Sequence, residues 1–215
     1  MNNLNIHPFG YPMKCTLCRQ HSDTKPELRV IPYYHRGQQA ADRIMLVGQD
    51  PTIYNDSDRV RNVLMLDDTS SQLYRWLSSI FGDINSHANS IYATNTVKCT
   101  LEKPPGKSNR SGYSFLKPFF AHCRPHLENE IHRYEPSFVV SFGEPAHMFF
   151  RSILDDPLVV PSTMKESFCG DFYSVTCNGF SFSYTPCLHI KTFRLARTYG
   201  NHLIQFGNTC QGLFK

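Results

Sequence analysis

Arg43-Ile44-Met45-Leu46-Val47-Gly48-Gln49-Asp50-Pro51 constrains the fold of this chain more than any other stretch. Its run of large aliphatic side chains has the length and residue types of a strand buried on both faces, as in the interior of a parallel sheet. The run stops at Gly48, and a carboxylate follows two residues later. That ending has two readings. Asp-Pro is ordinary turn chemistry. An acid just past a glycine-terminated strand is also the geometry of an active site at the carboxyl edge of an α/β sheet.

The rest of the chain supplies company for that acid. Leu73, Trp76, Leu77, Ile80 and Phe81 recur at helical spacing before Gly82, with Asp67-Asp68-Thr69-Ser70 as the expected helix start. Trp76 reads as a core residue rather than a stacking platform. Ile91-Tyr92-Ala93-Thr94-Asn95-Thr96-Val97 is a second strand, running into Lys98-Cys99. Phe115 to Tyr134 reads as a helix interrupted or entered around Pro118 and Pro125, and Ser137 to Gly143 as a third strand. Phe172–Thr176 and Phe180–Tyr184 flank Asn178-Gly179, a hairpin signal. The second arm leads to His189, which reads as a loop or core histidine or as a third polar group at a strand end. Leu195 to Lys215 closes the chain as a helix and tail. Leu28-Arg29-Val30-Ile31 is a possible short strand.

Strands alternating with helices argue for an α/β fold, a mainly parallel sheet with helices on both faces, in a chain long enough for one domain with a substantial core or two small ones. Asp50, Asn95 and His189 then emerge on one edge of that sheet. A carboxylate, an amide and an imidazole in one cleft suit a hydrolytic site.

Bulk properties narrow the classes. With 215 residues, 40% hydrophobic and 19% charged, the chain has a globular rather than a disordered composition. No apolar run reaches the roughly 20 residues of a membrane span, and Met1 to Lys14 carries no apolar signal core. The expectation is therefore an intracellular protein with no membrane partner. The net charge of +4 is compatible with nucleic acid without demanding it. Eight cysteines in such a setting point to metal binding or packing rather than disulfides. Cys15-Thr16-Leu17-Cys18 has the spacing of a metal-gripping pair, and buried unligated cysteines are the alternative. Lys103, Lys107 and Arg110 lie on a Pro/Gly/Ser/Asn-rich loop, where they are either solvated or suited to phosphate contacts.

Taken together these segments resemble the uracil-DNA glycosylase superfamily, and within it the iron–sulfur members of families four and five. The family strand ARIMLVGEAPG is matched by Ala41 to Pro51, YITNVVKC by Ile91 to Cys99, ACRPYLxxE by His122 to Glu130, and PKVIVALG by Pro136 to Gly143. The closing HPSxxxR is similar to His189-Ile190-Lys191-Thr192-Phe193-Arg194. The likeness runs from Cys15 to Arg194. Gly48-Gln49-Asp50-Pro51 is nearer to the GQDPYH motif of the cluster-free family-one enzymes. Thr52 stands where those enzymes carry a thymine-excluding Tyr, and Ile190-Lys191 replace a Pro-Ser pair.

The resemblance implies a four-stranded, mainly parallel sheet in a three-layer α/β/α sandwich, one domain spanning 1–215 with an N-terminal cysteine-bearing segment, and a glycosylase that releases uracil from DNA. Asp50 and His189 are then catalytic, while Gly48, Gln49 and Asn95 shape the base pocket. Leu66 falls near the position of the base-stacking Phe, with Met65 and Tyr54 as other candidates. The resemblance further implies that Cys15, Cys18, Cys99 and Cys123 hold a [4Fe–4S] cluster; zinc would accept the same four thiolates. Lys98, Lys103, Lys107 and Arg110 are candidate phosphate contacts, and Phe193 and Arg194 the wedge that fills the gap left by an extruded base. The expected partner is uracil-containing DNA, bound by a monomer. The same fold acting on another deaminated or mismatched base, an inactive DNA-binding relative and a zinc-stabilised nucleic-acid module are the other readings.

Overall fold

The computed structural model describes residues 24, 30, 32–51, 62–86, 88–101, 112–189 and 196–213 of the chain. A sheet of strands β1 (Tyr33–Arg36), β2 (Arg43–Gly48), β3 (Ser90–Asn95), β4 (Phe138–Phe142), β5 (Tyr173–Cys177) and β6 (Phe180–Cys187) forms its centre. The helices are α1 (Gln72–Phe81), α2 (Gly112–Tyr134), α3 (Glu144–Arg151), α4 (Met164–Ser167) and α5 (Ala196–Leu213). The strand order is β1-β3-β2-β4-β6-β5. β3, β2, β4 and β6 run parallel, whereas β1 and β5 add on antiparallel at the two edges.

The sheet is thus six-stranded and mixed, a correction to the four parallel strands expected. The four parallel strands form its interior. β1 escapes sequence reading because Tyr33-Tyr34-His35-Arg36 has no aliphatic run; as an edge strand with solvent on one side it needs none. β2 is the opposite case. Ile44, Met45, Leu46 and Val47 are all buried, because neighbours cover both its sides and helices cover both its faces.

Alternation along the strands divides the core between those faces. Met45, Val47, Tyr92, Val139 and Tyr184 pack with the α2 and α3 side chains Leu116, Phe120, Leu127, Phe149 and Phe150. Ile44, Leu46, Ile91, Val140 and Phe142 pack with Leu77 and Ile80 of α1 and Phe206 of α5. Trp76 lies on this second face, stacked on Phe206 at 6.0 Å and edge-on to Phe142 at 6.3 Å, as a core residue should.

Local chemistry sets the ends of the elements. Ser71, rather than the Asp67–Ser70 stretch, caps α1: its Oγ accepts the Tyr74 N–H at 3.0 Å. α2 runs unbroken through Pro118 and Pro125, with each proline removing one backbone donor from the helix. Asn178 (φ 50°) and Gly179 (φ 75°) form the two-residue hairpin turn. The Asp155 carboxylate accepts both their N–H groups, at 2.8 and 2.9 Å, and those donors hold its carboxyl below the usual range.

One buried polar chain crosses the α3 side. The Pro161 carbonyl can only accept, so His147 Nε2 donates to it at 2.9 Å. Burial keeps the His147 ring neutral, so its Nδ1 accepts from the Tyr184 hydroxyl at 2.8 Å, which in turn accepts from Ser141 at 2.7 Å.

Candidate active site

Parallel strands place their carboxyl ends along one edge, and the three polar residues singled out in the sequence lie there. Asn95 is the last residue of β3, Asp50 comes two residues after β2, and His189 two after β6. In strand order these carriers stand as β3, β2, then β4, then β6.

Gly48 makes room for the amide. It pairs in register with Asn95, and a Cβ at Gly48 would collide with Asn95 Oδ1. The Asn95 side chain therefore lies across the end of β2, only 4% exposed. The segments beyond the two strands stay joined. Thr96 N donates to Gly48 O at 2.8 Å and Val97 N to Gln49 O at 3.0 Å. The Thr96 hydroxyl donates to the same Gln49 carbonyl at 2.7 Å. The Gln49 side-chain amide donates to Asp50 Oδ1 at 2.6 Å, which orients a half-buried carboxylate in front of a buried Pro51.

A side chain not anticipated from the sequence completes this corner. Leu64 Cδ2 lies 3.1 Å from where a Gly48 Cβ would be. Leu64 (φ 60°, ψ 11°) and Met65 (φ 52°) are consecutive non-glycine residues in the left-handed region, an unfavourable backbone that tends to occur at functional sites. Leu66 is fully buried in the α1-side core, so Leu64 rather than Leu66 walls the Asn95 corner. The signal was out of reach: counting residues from a motif cannot anticipate a left-handed turn.

At the other end of the edge, His189 is half-buried and lies against Gly143, the residue between β4 and α3.

Beyond Asn95 two thiols come together. Fully buried Cys123 of α2 is hydrogen-bonded by Cys99, and its Sγ also accepts the Lys98 N–H at 3.3 Å. The Cys99 hydrogen bond, helped by that N–H and by the Lys98 charge, brings the Cys123 thiol down to about 7 against the opposing effect of burial. The chemistry of this donor set, a thiol disposed to ionise beside a second thiol, fits half of a four-cysteine metal centre. Lys98 itself turns inward. Its ammonium lies 2.6 Å from Glu130 Oε2 and 2.5 Å from Thr94 Oγ1, with Glu130 only 2% exposed. An ammonium spent on a buried carboxylate is not presented to phosphate, which corrects the expectation for Lys98.

Cys15, Cys18, Lys103, Lys107, Arg110, Phe193 and Arg194 lie outside the described residues, as do Thr52, Tyr54, Ile190, Lys191 and most of the Leu28–Ile31 stretch.

Residues 34–195 match the family model of the Uracil DNA glycosylase superfamily. No curated protein matches the chain.

Proposed function

Because the chain belongs to the Uracil DNA glycosylase superfamily, we propose that it hydrolyses the N-glycosidic bond of deoxyuridine in DNA and releases uracil. The observation that carries this reading is the shared edge: an oriented carboxylate, a buried amide fitted over a glycine, and an imidazole at the ends of three parallel strands.

A base inside a duplex is out of reach, so the nucleotide is extruded into the pocket, most cheaply from a mismatch or a single strand. The Asn95 amide has one donor and one acceptor side, which matches the edge of uracil and mismatches that of cytosine. Such a paired contact discriminates by about 1–3 kcal/mol. Leu64 supplies apolar surface beside the amide. As the bond between C1′ and the base nitrogen lengthens, positive charge grows on the sugar and negative charge on the base. Asp50, held by Gln49, faces the first and aligns the water that adds to C1′. His189 donates toward the second.

Cys15 and Cys18, joining Cys99 and Cys123, are proposed to hold a [4Fe–4S] cluster. When bound it braces the segment after β3 and has no part in bond breaking. Lys103, Lys107 and Arg110 are proposed for phosphate contacts, and Phe193 with Arg194 for the space left by the base.

The test is a panel of oligonucleotides with single uracil, thymine-mismatch, hypoxanthine or xanthine lesions, scored by alkaline strand cleavage. Uracil is expected to be released, and Asp50→Asn to slow release by about 10²–10³-fold. Release of a different base alone would reassign the substrate, and undiminished release by Asp50→Asn would remove the carboxylate from the mechanism.

A further inference from the structure

We infer that Gly143 is a positioning residue for His189: its missing side chain is the seat on which the imidazole lies. The inference rests on the glycosylase reading for its effect on rate, but its geometry stands apart from that reading.

Two observations carry it. Gly143 has φ +89° and ψ 157°, a backbone region open in practice to glycine alone. A Cβ there would lie 3.2 Å from His189 Cβ, so His189 would have to give by a few tenths of an ångström at its Cβ and carry the ring with it; the ring atoms Cδ2 and Cγ, at 3.4 and 3.7 Å, would be in ordinary contact. The seat is fixed on both sides. Gly143 N donates to Cys187 O at 2.8 Å, which ties the end of β4 to the end of β6 two residues before His189. The Gly143 carbonyl accepts from His147 N at 3.0 Å as α3 begins.

The molecule contains its own control. Gly82 ends α1 with φ +76° and ψ −171°, the same region of backbone space, and a Cβ there would meet nothing within 4 Å. An alanine at either position meets the same kind of backbone strain, but only the one at Gly143 meets His189.

The experiment compares Gly143→Ala with Gly82→Ala in the full-length protein. Both should melt lower by a similar amount, on the order of 5 °C. Gly143→Ala should also lower kcat on uracil-containing DNA by roughly ten-fold with KM little changed, since a full 1 Å misplacement costs about 10²-fold. Gly82→Ala should leave kcat unchanged. The His189 ring signals in NMR spectra, identified by their loss in His189→Gln, should shift in Gly143→Ala and not in Gly82→Ala. Should Gly143→Ala fail to fold, the unaltered protein still gives an answer: a nuclear Overhauser contact between the Gly143 α-protons and the His189 ring is expected, and its absence overturns the inference. Release of uracil with neither kcat nor the ring signals responding to Gly143→Ala also overturns it, and leaves the glycosylase reading intact. No base released from any lesion, together with the ring shift and the contact, removes the glycosylase reading and leaves the seat in place.

Discussion

Two pairs of cysteines flank the sheet edge that carries Asp50, Asn95 and His189, and their chemistry is opposite. Cys99 and Cys123 lie beyond Asn95 on the α2 side of the sheet. Cys187, two residues before His189, and Cys210 of α5 lie in the core on the α5 side. Cys123 and Cys187 are both fully buried, yet Cys123 is brought down to about 7 while burial pushes Cys187 far up, with the neighbouring Cys210 thiol adding to the effect. Burial likewise raises Cys210 to about 12. The difference lies in the donors. Cys123 receives a thiol, two backbone N–H groups and a nearby ammonium, whereas Leu188 offers Cys187 one N–H. What points at a buried thiol, rather than where it sits, decides whether it is disposed to ionise.

The largest expected effect sharpens that contrast directly. On the proposed cluster, the purified protein should carry iron and absorb in the visible, and Cys123→Ala should abolish both. Cys210→Ala should keep both and cost about 1 kcal/mol for one lost buried atom, measured by urea unfolding. Equal loss of iron from both variants would break the comparison.

Next comes the ammonium. Lys98→Met removes the ammonium that faces the buried Glu130 carboxylate and should destabilise the fold by about 3–5 kcal/mol. Adding Glu130→Leu should recover most of that loss. If the single variant is as stable as the parent in urea, the pair does not hold β3 to α2.

The smallest effect extends the comparison to an imidazole. Burial lowers His147 below its ordinary 6.5, so the unfolded chain binds the extra proton first as the solution is acidified. The stabilisation from neutral His147 is complete above about pH 6.5 and is lost as pH falls from there toward the folded value. His147→Gln can keep both hydrogen bonds without titrating, so its melting temperature should fall less between pH 7 and pH 5. Parallel acid profiles would remove His147 as the group responsible.

These contrasts also show what was legible in the sequence. β2, β3 and β4 were visible because buried parallel strands are written as aliphatic and β-branched runs, and the hairpin because Asn178-Gly179 demands one kind of turn. Asp50, Asn95 and His189 followed as the residues at strand ends. β1 was illegible, since an edge strand asks little of its side chains. α3 was hidden because the glycine that ends β4 also opens the helix. Leu64, the inward turn of Lys98 and the seat at Gly143 depend on backbone torsions and long-range contacts, which no local pattern encodes.

The placement of β2 has a consequence for how the protein is made. The strand that delivers Asp50 pairs with β3 and β4, both of which leave the ribosome after it. The β5–β6 hairpin closes locally, on a scale of microseconds. β2 must instead wait, its aliphatic side chains uncovered, until most of the chain exists. A fragment lacking β4 leaves one side of β2 unpaired, so the strand that carries Asp50 is covered late in synthesis and the unfinished polypeptide is the form most in need of a chaperone.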